Sequence, residues 1–395
     1  MLDVLIVGAG PAGSVAGAIL ARGGASVRIV DRAMFPRDKL CGDTLNPGAL
    51  ARLQTLGLAA GIEARSLRVD GMRVTGGRGV TIEGSYPGGL SGRAITRREL
   101  DSLLLEQAIA AGCQFEPGLA VRRAIVDDRG AVPIVSGAIV GQERRESPIA
   151  ARVTIAADGR HSTMAFGLGL AQHPPRPRRW AVGGYYENFL PAEPVRVRPR
   201  SDPGLTLTFG EMHIRRGHYI GVAAVPGGLT NVCLVKPSFA GDSTLGDPAG
   251  LLSQVLARDP MLRDRAAGAR LIGLPVVLGP LAVDVGNAAF DGLLLAGDAA
   301  GFIDPMTGDG LRFAISGAEL AAAAAAQALA HGWSGVHAGL AAERRRAFGG
   351  KWRFNRALRS LVASPRAVDA AALGARLAPA VLHAVIARAG DCSTA

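Results

Sequence analysis

Cysteine, lysine, aromatic residues and long apolar runs are all scarce in this chain, and each scarcity narrows what it can be. Four Cys stand in 395 residues, at 41, 113, 233 and 392. They share no metal-ligand spacing, which fits a reducing, cytoplasmic setting and excludes a disulfide framework or a structural zinc site. Lysine occurs only at 39, 236 and 351, so Arg carries nearly all of the 44 basic residues behind a net charge of +11. No zinc-finger, RNP or basic-zipper pattern accompanies that charge, so nucleic acid is not an expected partner. The apolar stretch from Met1 to Ala25 is broken by Gly8, Gly10 and Gly13 and carries Asp3 with no early basic residue, unlike a signal peptide. The Ala-rich run at 318–330 holds Glu319 and Gln327 and is too short to span a bilayer. A soluble protein is expected.

What is abundant is apolar and small: 48% hydrophobic residues and 54 Gly. This describes a packed chain with tight turns, long enough for one large enzyme or two joined domains. Its charge is uneven. From residue 340 onward ten Lys/Arg face three Asp/Glu, so this last seventh carries +7 of the +11.

Residues 2–7 form an unbroken apolar run that predicts a buried parallel strand. Gly8-Ala9-Gly10-Pro11-Ala12-Gly13 follows, then a helical run to Gly23, then a second strand over 26–30 ending at Asp31. Strand, G-x-G-x-x-G, helix, strand and acid is the dinucleotide-binding order. Gly8 allows the turn, Gly10 admits a pyrophosphate, Gly13 lets helix and strand pack, and the helix start offers N–H groups to phosphate. Asp31 suits a ribose diol. The Asp31-to-Asp43 excursion leaves no room for the next helix of a nicotinamide dehydrogenase, which turns the reading toward a flavin. Gly292–Gly301 then reads as a strand running into a turn, with Asp298 at its end. Asp304-Pro305-Met306-Thr307-Gly308-Asp309-Gly310-Leu311 opens a helix whose N–H groups can stabilise negative charge.

Here the sequence resembles the geranylgeranyl-reductase branch of the para-hydroxybenzoate-hydroxylase superfamily of FAD enzymes. The segments that carry the resemblance are Gly8–Gly13, Pro36–Gly42, Arg97 with Leu100-Asp101, Ala157-Asp158-Gly159-Arg160 with Ser162, and Gly297-Asp298 through Gly317. The resemblance implies an α/β fold: a Rossmann-like, GR2-type FAD-binding domain, an antiparallel β-sheet substrate domain and a C-terminal helical segment. The expected division is 1–75, 95–170 and 280–330 for FAD, 76–94 and 171–279 for substrate, and 331–395 for the helices.

By the same resemblance Gly8, Gly10, Pro11, Ala12 and Gly13 would cradle the pyrophosphate, and Asp31 with Arg32 would hold the adenosine. Arg97 would meet the phosphate–ribose region, and Val121, ending a strand after Gly118, would touch adenine. Asp158 and Gly159 would sit behind the cofactor. Gly297 and Asp298 would bind the ribityl chain, and Pro305, Gly308, Gly310 and Leu311 would line the flavin ring. Cys41 and Gly42 would stand beside that ring, where the Cys41 thiol can act as a catalytic proton donor. Relatives often carry an Arg shortly after the Asp-Gly-x-x-Ser segment, where Met164 and Ala165 stand here. No second strand-linked G-x-G-x-x-G exists either, so NAD(P)H is expected as a transient reductant, or a partner delivers the electrons.

Residues 175–275 alternate in a pattern that predicts an antiparallel sheet, with Trp180, Tyr185, Tyr186, Phe209, His213, His218 and Tyr219 as candidate pocket residues. His213 and His218 lack a third ligand, so no metal is expected. Residues 318–330 and 336–395 predict helices, and Arg344–Arg359 interleaves Arg with Phe348, Trp352, Phe354 and Leu358. Such a helix suits either core packing or peripheral contact with a membrane or an acidic carrier. The substrate expected is a lipophilic or aromatic small molecule, free or carrier-tethered. Three activities stay open, hydroxylation leading with double-bond reduction nearly level. They are hydroxylation by a monooxygenase of the kind found in secondary metabolism, reduction of isoprenoid carbon–carbon double bonds, and electron transfer between partners without catalysis.

Overall fold

The computed structural model describes residues 2–76, 80–129, 133–142, 145–176, 178–192, 207–239, 241–286, 288–303, 306, 308–362 and 379–392. Two large sheets organise the chain. In the first, the strands Gln114–Pro117, Val27–Asp31, Leu2–Val7 and Arg145–Ala156 lie side by side and parallel. Leu293–Leu295 returns from far along the chain to pair with the end of the last of them. Ile134–Gln142 and Ala120–Asp127 continue the same sheet as antiparallel neighbours. Residues such as Leu5, Ile6, Ile29 and Ile155 are fully buried here, as expected of parallel strands covered on both faces.

The first helix, Pro11–Arg22, lies against this sheet with the helices Arg97–Ala110 and Gly310–His331, and all three share one core with Ile6, Ile29, Leu104 and Ile315. Small residues set the spacing. A Cβ on Gly17 would press on Ile29 Cδ1 at 2.8 Å, and the long helix turns Ala318, Ala321, Ala322 and Ala325 inward. Gly310–His331 is long and apolar enough to cross a membrane by length and composition, but 56% of its most apolar window is buried in the protein. It serves as a core helix.

The second sheet runs Arg270–Leu278, Arg179–Glu187, Leu229–Pro237, His218–Val225, Phe209–Arg215, Gly71–Thr75 and Thr81–Ser85. All neighbours are antiparallel except Gly71–Thr75, which runs parallel to Phe209–Arg215. The expected boundary after residue 75 therefore moves. Gly71–Thr75 already belongs to the second sheet because its partner strand lies some 140 residues away, beyond the reach of a local pattern. One face of this sheet packs Val182, Ile220, Val232 and Leu234 on Leu252 and Leu256 of the helix Pro248–Arg258. The other face, with Ala181, Tyr219, Cys233 and Val235, turns toward Leu40, Leu281 and Met306.

The helix Val336–Val362 buries Phe348, Lys351 and Asn355. Its Phe348 and Trp352 rings pack on Phe313 of the preceding helix, while Arg345, Arg346, Arg353 and Arg356 face outward. The aromatic side of this basic helix is thus engaged by the core. Residues 363–378, also expected to be helical, lie outside the described residues.

The tightest contact in the molecule's first turn is a testable one. A Cβ on Gly13 would sit 1.8 Å from the Gly8 carbonyl oxygen, a backbone atom that cannot rotate away. Gly13→Ala should therefore cost on the order of 3 kcal/mol or more, in the severe class of core substitutions. Thermal melts should show a fall of several degrees, and an unchanged transition would contradict the packing described.

Candidate flavin and substrate site

One deep cavity lies where the two sheets meet, at the carboxyl ends of the parallel strands, where open α/β sheets bind ligands. Its floor is the first turn. Gly8 has φ +101°, and a Cβ there would strike the Ala157 carbonyl oxygen at 2.5 Å. Asp31 braces the turn from the next strand, accepting from Ala9 N–H and Ala33 N–H at 2.8 Å each. Each of its oxygens keeps a lone pair for a ribose hydroxyl. The helix Pro11–Arg22 begins with no side-chain cap, which leaves its first N–H groups to the cavity.

Cations crowd the next part of the wall. Arg97, the first residue of Arg97–Ala110, forms a bidentate pair with Asp101 at 2.7 and 2.9 Å. Arg37 reaches the same fully buried carboxylate at 3.1 Å. Cys41 lines the same wall. Lys39 shares the cavity wall, and burial together with the positive charge of Arg97 pushes its ammonium below the usual lysine range. Across from these stands Asp298, in the short turn Gly297–Ala300 after Leu293–Leu295.

These groups fit an anionic dinucleotide. The buried Asp158 Oδ1 and Arg160 Nε have no hydrogen-bond partner, and both residues line the cavity. Burial also pushes the Asp158 carboxyl above its ordinary range. A polar ligand with ribose hydroxyls and a pyrophosphate supplies what such groups lack. Gly10, Ala12 and the helix start would hold the pyrophosphate with Arg37 and Lys39, Asp31 the ribose, Asp298 the ribityl chain, and Gly308 to Leu311 the ring.

Most expected residues meet here. Gly8, Gly10, Pro11, Ala12, Asp31, Cys41, Gly42, Arg97, Asp158, Gly159, Gly297, Asp298, Gly308, Gly310 and Leu311 all line the one cavity. Gly13 lies beneath the turn, not in the wall. Arg32 is exposed at the rim, and its charge is felt at Asp158 and Arg160. Val121 corrects the expectation: it is the second residue of the strand Ala120–Asp127 instead of the end of one, and it is not among the residues that line the cavity. Arg97 is turned to Asp101 in a bidentate pair, and the cation that comes up to Gly10 of the turn is Arg37, with Lys39 also in the wall. Pro305 lies outside the described residues.

The second sheet supplies the opposite wall. Met72, Met212, Tyr219 and Leu278 make it largely apolar, Leu281 and Phe302 add to it from outside the sheet, and Gly210, Gly221 and Ala223 leave room. Of the aromatic residues expected in the pocket, Tyr219 alone is in this wall. Tyr186 faces the opposite core, and His213 is buried between Thr75 at 2.8 Å and Glu211 at 3.1 Å. The period of two along each strand decides this, and register cannot be read before the partners are known. Arg37, Lys39 and Arg160 were within reach of the sequence, as cations flanking the segments that carried the resemblance.

Behind the Cys41-Gly42 wall lies a residue that sequence reasoning passed over. Asp43 is fully buried at φ +51°, a conformation unusual outside glycine. Its Oδ2 accepts from Tyr185 Oη at 2.6 Å and from Asn231 Nδ2 at 2.7 Å, while Oδ1 has no partner. Burial pushes its pKa up to about 6, against the opposing pull of those two donors and Arg97. A carboxyl with a raised folded-state pKa favours the fold most below its ordinary value of 3.8 and loses that contribution as pH climbs through about 6. Asp43→Asn should therefore gain on the wild type between pH 4 and pH 8, by at most about 3 kcal/mol. Paired melts across that range check it, and parallel pH profiles would contradict it.

Comparison with known proteins places this site in a family. Residues 1–185 match a family model described as an FAD binding domain. The chain is 32% identical over 332 residues to the menaquinone reductase of Mycolicibacterium smegmatis, covering 81% of this chain and 75% of that one. It is 29% identical over 337 residues to digeranylgeranylglycerophospholipid reductase 2 of Methanopyrus kandleri, covering 83% and 77%. Among solved structures it is similar to a flavin-dependent brominase, with a TM-score of 0.82 at 22% identity over 99% of this chain and 94% of the other. The flavin-dependent halogenase CmlS gives 0.76 at 25% identity over 89% and 63%. The brominase likeness is one of fold. With its turn, its cations and its two-walled cavity, the chain belongs to the geranylgeranyl-reductase-like branch of the FAD-dependent oxidoreductases, as a flavoenzyme built on their FAD-binding fold.

Proposed function

We propose that this flavoenzyme reduces carbon–carbon double bonds in a lipid that carries unsaturated isoprenoid chains. The observation that carries the reading is the position of Cys41 and Gly42, between the cationic wall and the apolar wall of one cavity. The relatives give it direction. Those at about 30% identity over most of the chain include named reductases of menaquinone and of digeranylgeranylglycerophospholipid. That puts double-bond reduction ahead of hydroxylation, the leading expectation from sequence.

Bound and reduced, FAD supplies a hydride. The chain's own residues supply the rest. The Cys41 thiol gives a proton to the second alkene carbon, so one π bond is replaced by two C–H bonds and two electrons leave the cofactor. Met72, Met212, Leu278 and Leu281 hold the prenyl chain and keep water from the reacting carbons. Arg97, held in place by Asp101, lines the same cavity as that thiol. NAD(P)H, or a partner protein, would be the source of the electrons. The substrate's length and headgroup are open to the same assay.

Anaerobic single turnover tests the reading. Photoreduced holoenzyme mixed with a geranylgeranylated lipid should yield product with two added hydrogens for each flavin reoxidised. Cys41→Ala should slow that step about a hundredfold, the scale of a lost general acid, and keep its FAD. Product formed only in air, with oxygen incorporated, would replace this reading with hydroxylation. A flavin reoxidised by neither lipid nor air would leave electron transfer to a partner.

A further inference from the structure

The apolar wall of the cavity is a row that crosses the second sheet from one edge almost to the other. Leu278, Ala181, Val235 and Tyr219 stand opposite one another in four neighbouring strands. The row then steps along to Gly221 opposite Met212, and again to Gly210 opposite Met72. All of these residues line the cavity. Six strands take part, and at a spacing of about 4.8 Å they make a wall about 24 Å long. That length suits an extended chain laid across the strands.

The two ends of the row differ. Arg270–Leu278 is the edge strand, and Val276, next to Leu278 on the same face, is 40% exposed. At the other end the seventh strand, Thr81–Ser85, places Gly84 opposite Met72, yet none of its residues lines the cavity. The space over Gly84 is taken by Ile386, whose Cδ1 leaves no room there for even a Cβ. Ile386 is buried on the helix Pro379–Ala389 and packs with Val69, Tyr86 and Met72. The end of this helix is pinned. Lys351 donates to the Arg388 and Ala389 carbonyls, Gly48 N–H donates to the Gly390 carbonyl at 3.1 Å, and Arg312 pairs with Asp391 at 2.6 Å.

We infer that Ile386 is the stop against which the lipid's apolar chain ends, and that it sets the longest chain the cavity takes. The inference rests on the reading of this cavity as a site for a prenyl lipid. A chain laid along the row from the exposed edge meets Met72 last, with Ile386 behind it. Met72 is unbranched and can swing aside. Ile386 is β-branched, stiff at χ1 and carried by an anchored helix, so the fixed limit lies with it.

The test reads binding, without turnover. Farnesol, geranylgeraniol, geranylfarnesol and solanesol are titrated into oxidised, FAD-loaded wild type and Ile386→Ala, with the flavin's visible spectrum as the readout. In the wild type affinity should rise with each added isoprene unit up to a limit and then stop rising. In Ile386→Ala the first alcohol beyond that limit should bind about tenfold tighter than in the wild type, the effect of about two further buried methylenes, and shorter alcohols should stay within about twofold. Should Ile386→Ala fail to fold, Ile386→Val removes only the Cδ1 that faces Gly84 and should give about a fourfold gain. Affinity that climbs through every length without a limit, or a limit that the variants leave in place, overturns the inference. An unmoved limit in an enzyme that does reduce a geranylgeranylated lipid rejects the stop and keeps the reductase reading. A limit that moves in an enzyme that reduces no prenyl lipid upholds the stop and rejects that reading alone.

Discussion

The Asp101 carboxylate carries a burden out of proportion to its size. It is fully buried and is the shared partner of Arg97 and Arg37, and through Arg97 it reaches the wall that holds Cys41. Buried charges persist only when paired and hydrogen-bonded, and removing one partner strands the other. Here one anion holds two cations, with Lys39 close by, and these cations are the groups that would meet an anionic pyrophosphate. The same pair ties the helix Arg97–Ala110 to the segment running from Arg37 to Cys41, which neither strand nor helix otherwise fixes. Cofactor affinity and the placement of the thiol therefore depend on one ion-pair cluster.

A second buried cluster joins the last part of the chain to the flavin loop. Asp309 accepts from Asn46 at 3.2 Å and Asn355 at 3.0 Å and pairs with Lys351 at 3.1 Å. Lys351 also donates to the carbonyl oxygens of Arg388 and Ala389 at the end of the helix Pro379–Ala389. Asp309 precedes the helix Gly310–His331, so the segment expected to line the flavin ring is anchored by residues from three distant stretches. One of the chain's three lysines is thus consumed inside the protein.

How much of this was legible depended on distance along the chain. Gly8 to Asp31 was readable because the contacts that shape the turn itself, from Gly13 on the Gly8 carbonyl to Asp31 on Ala9, close within about thirty residues. The second sheet was foreseen as antiparallel, but its membership was not, since Gly71–Thr75 finds its partner at Phe209–Arg215. Strand alternation then turned Tyr186 and His213 away from the cavity and only Tyr219 toward it. Asp43 was missed for a related reason. As part of Cys-Gly-Asp it reads as a turn residue, and only the arrival of Tyr185 and Asn231 from two strands of the other sheet shows it as a buried charge.

Cofactor and lipid are proposed to share one cavity with two walls. Gly221 offers the most direct check, because a side chain there would point into open space, its Cβ meeting only the Cys233 carbonyl oxygen at 3.9 Å. Titrating a geranylgeranylated lipid into oxidised holoenzyme while recording the flavin's visible spectrum compares the wild type with Gly221→Phe. The account predicts a saturable spectral shift in the wild type, and in the variant a full complement of FAD with the shift abolished. A shift that survives in Gly221→Phe would place the lipid elsewhere and contradict the shared cavity.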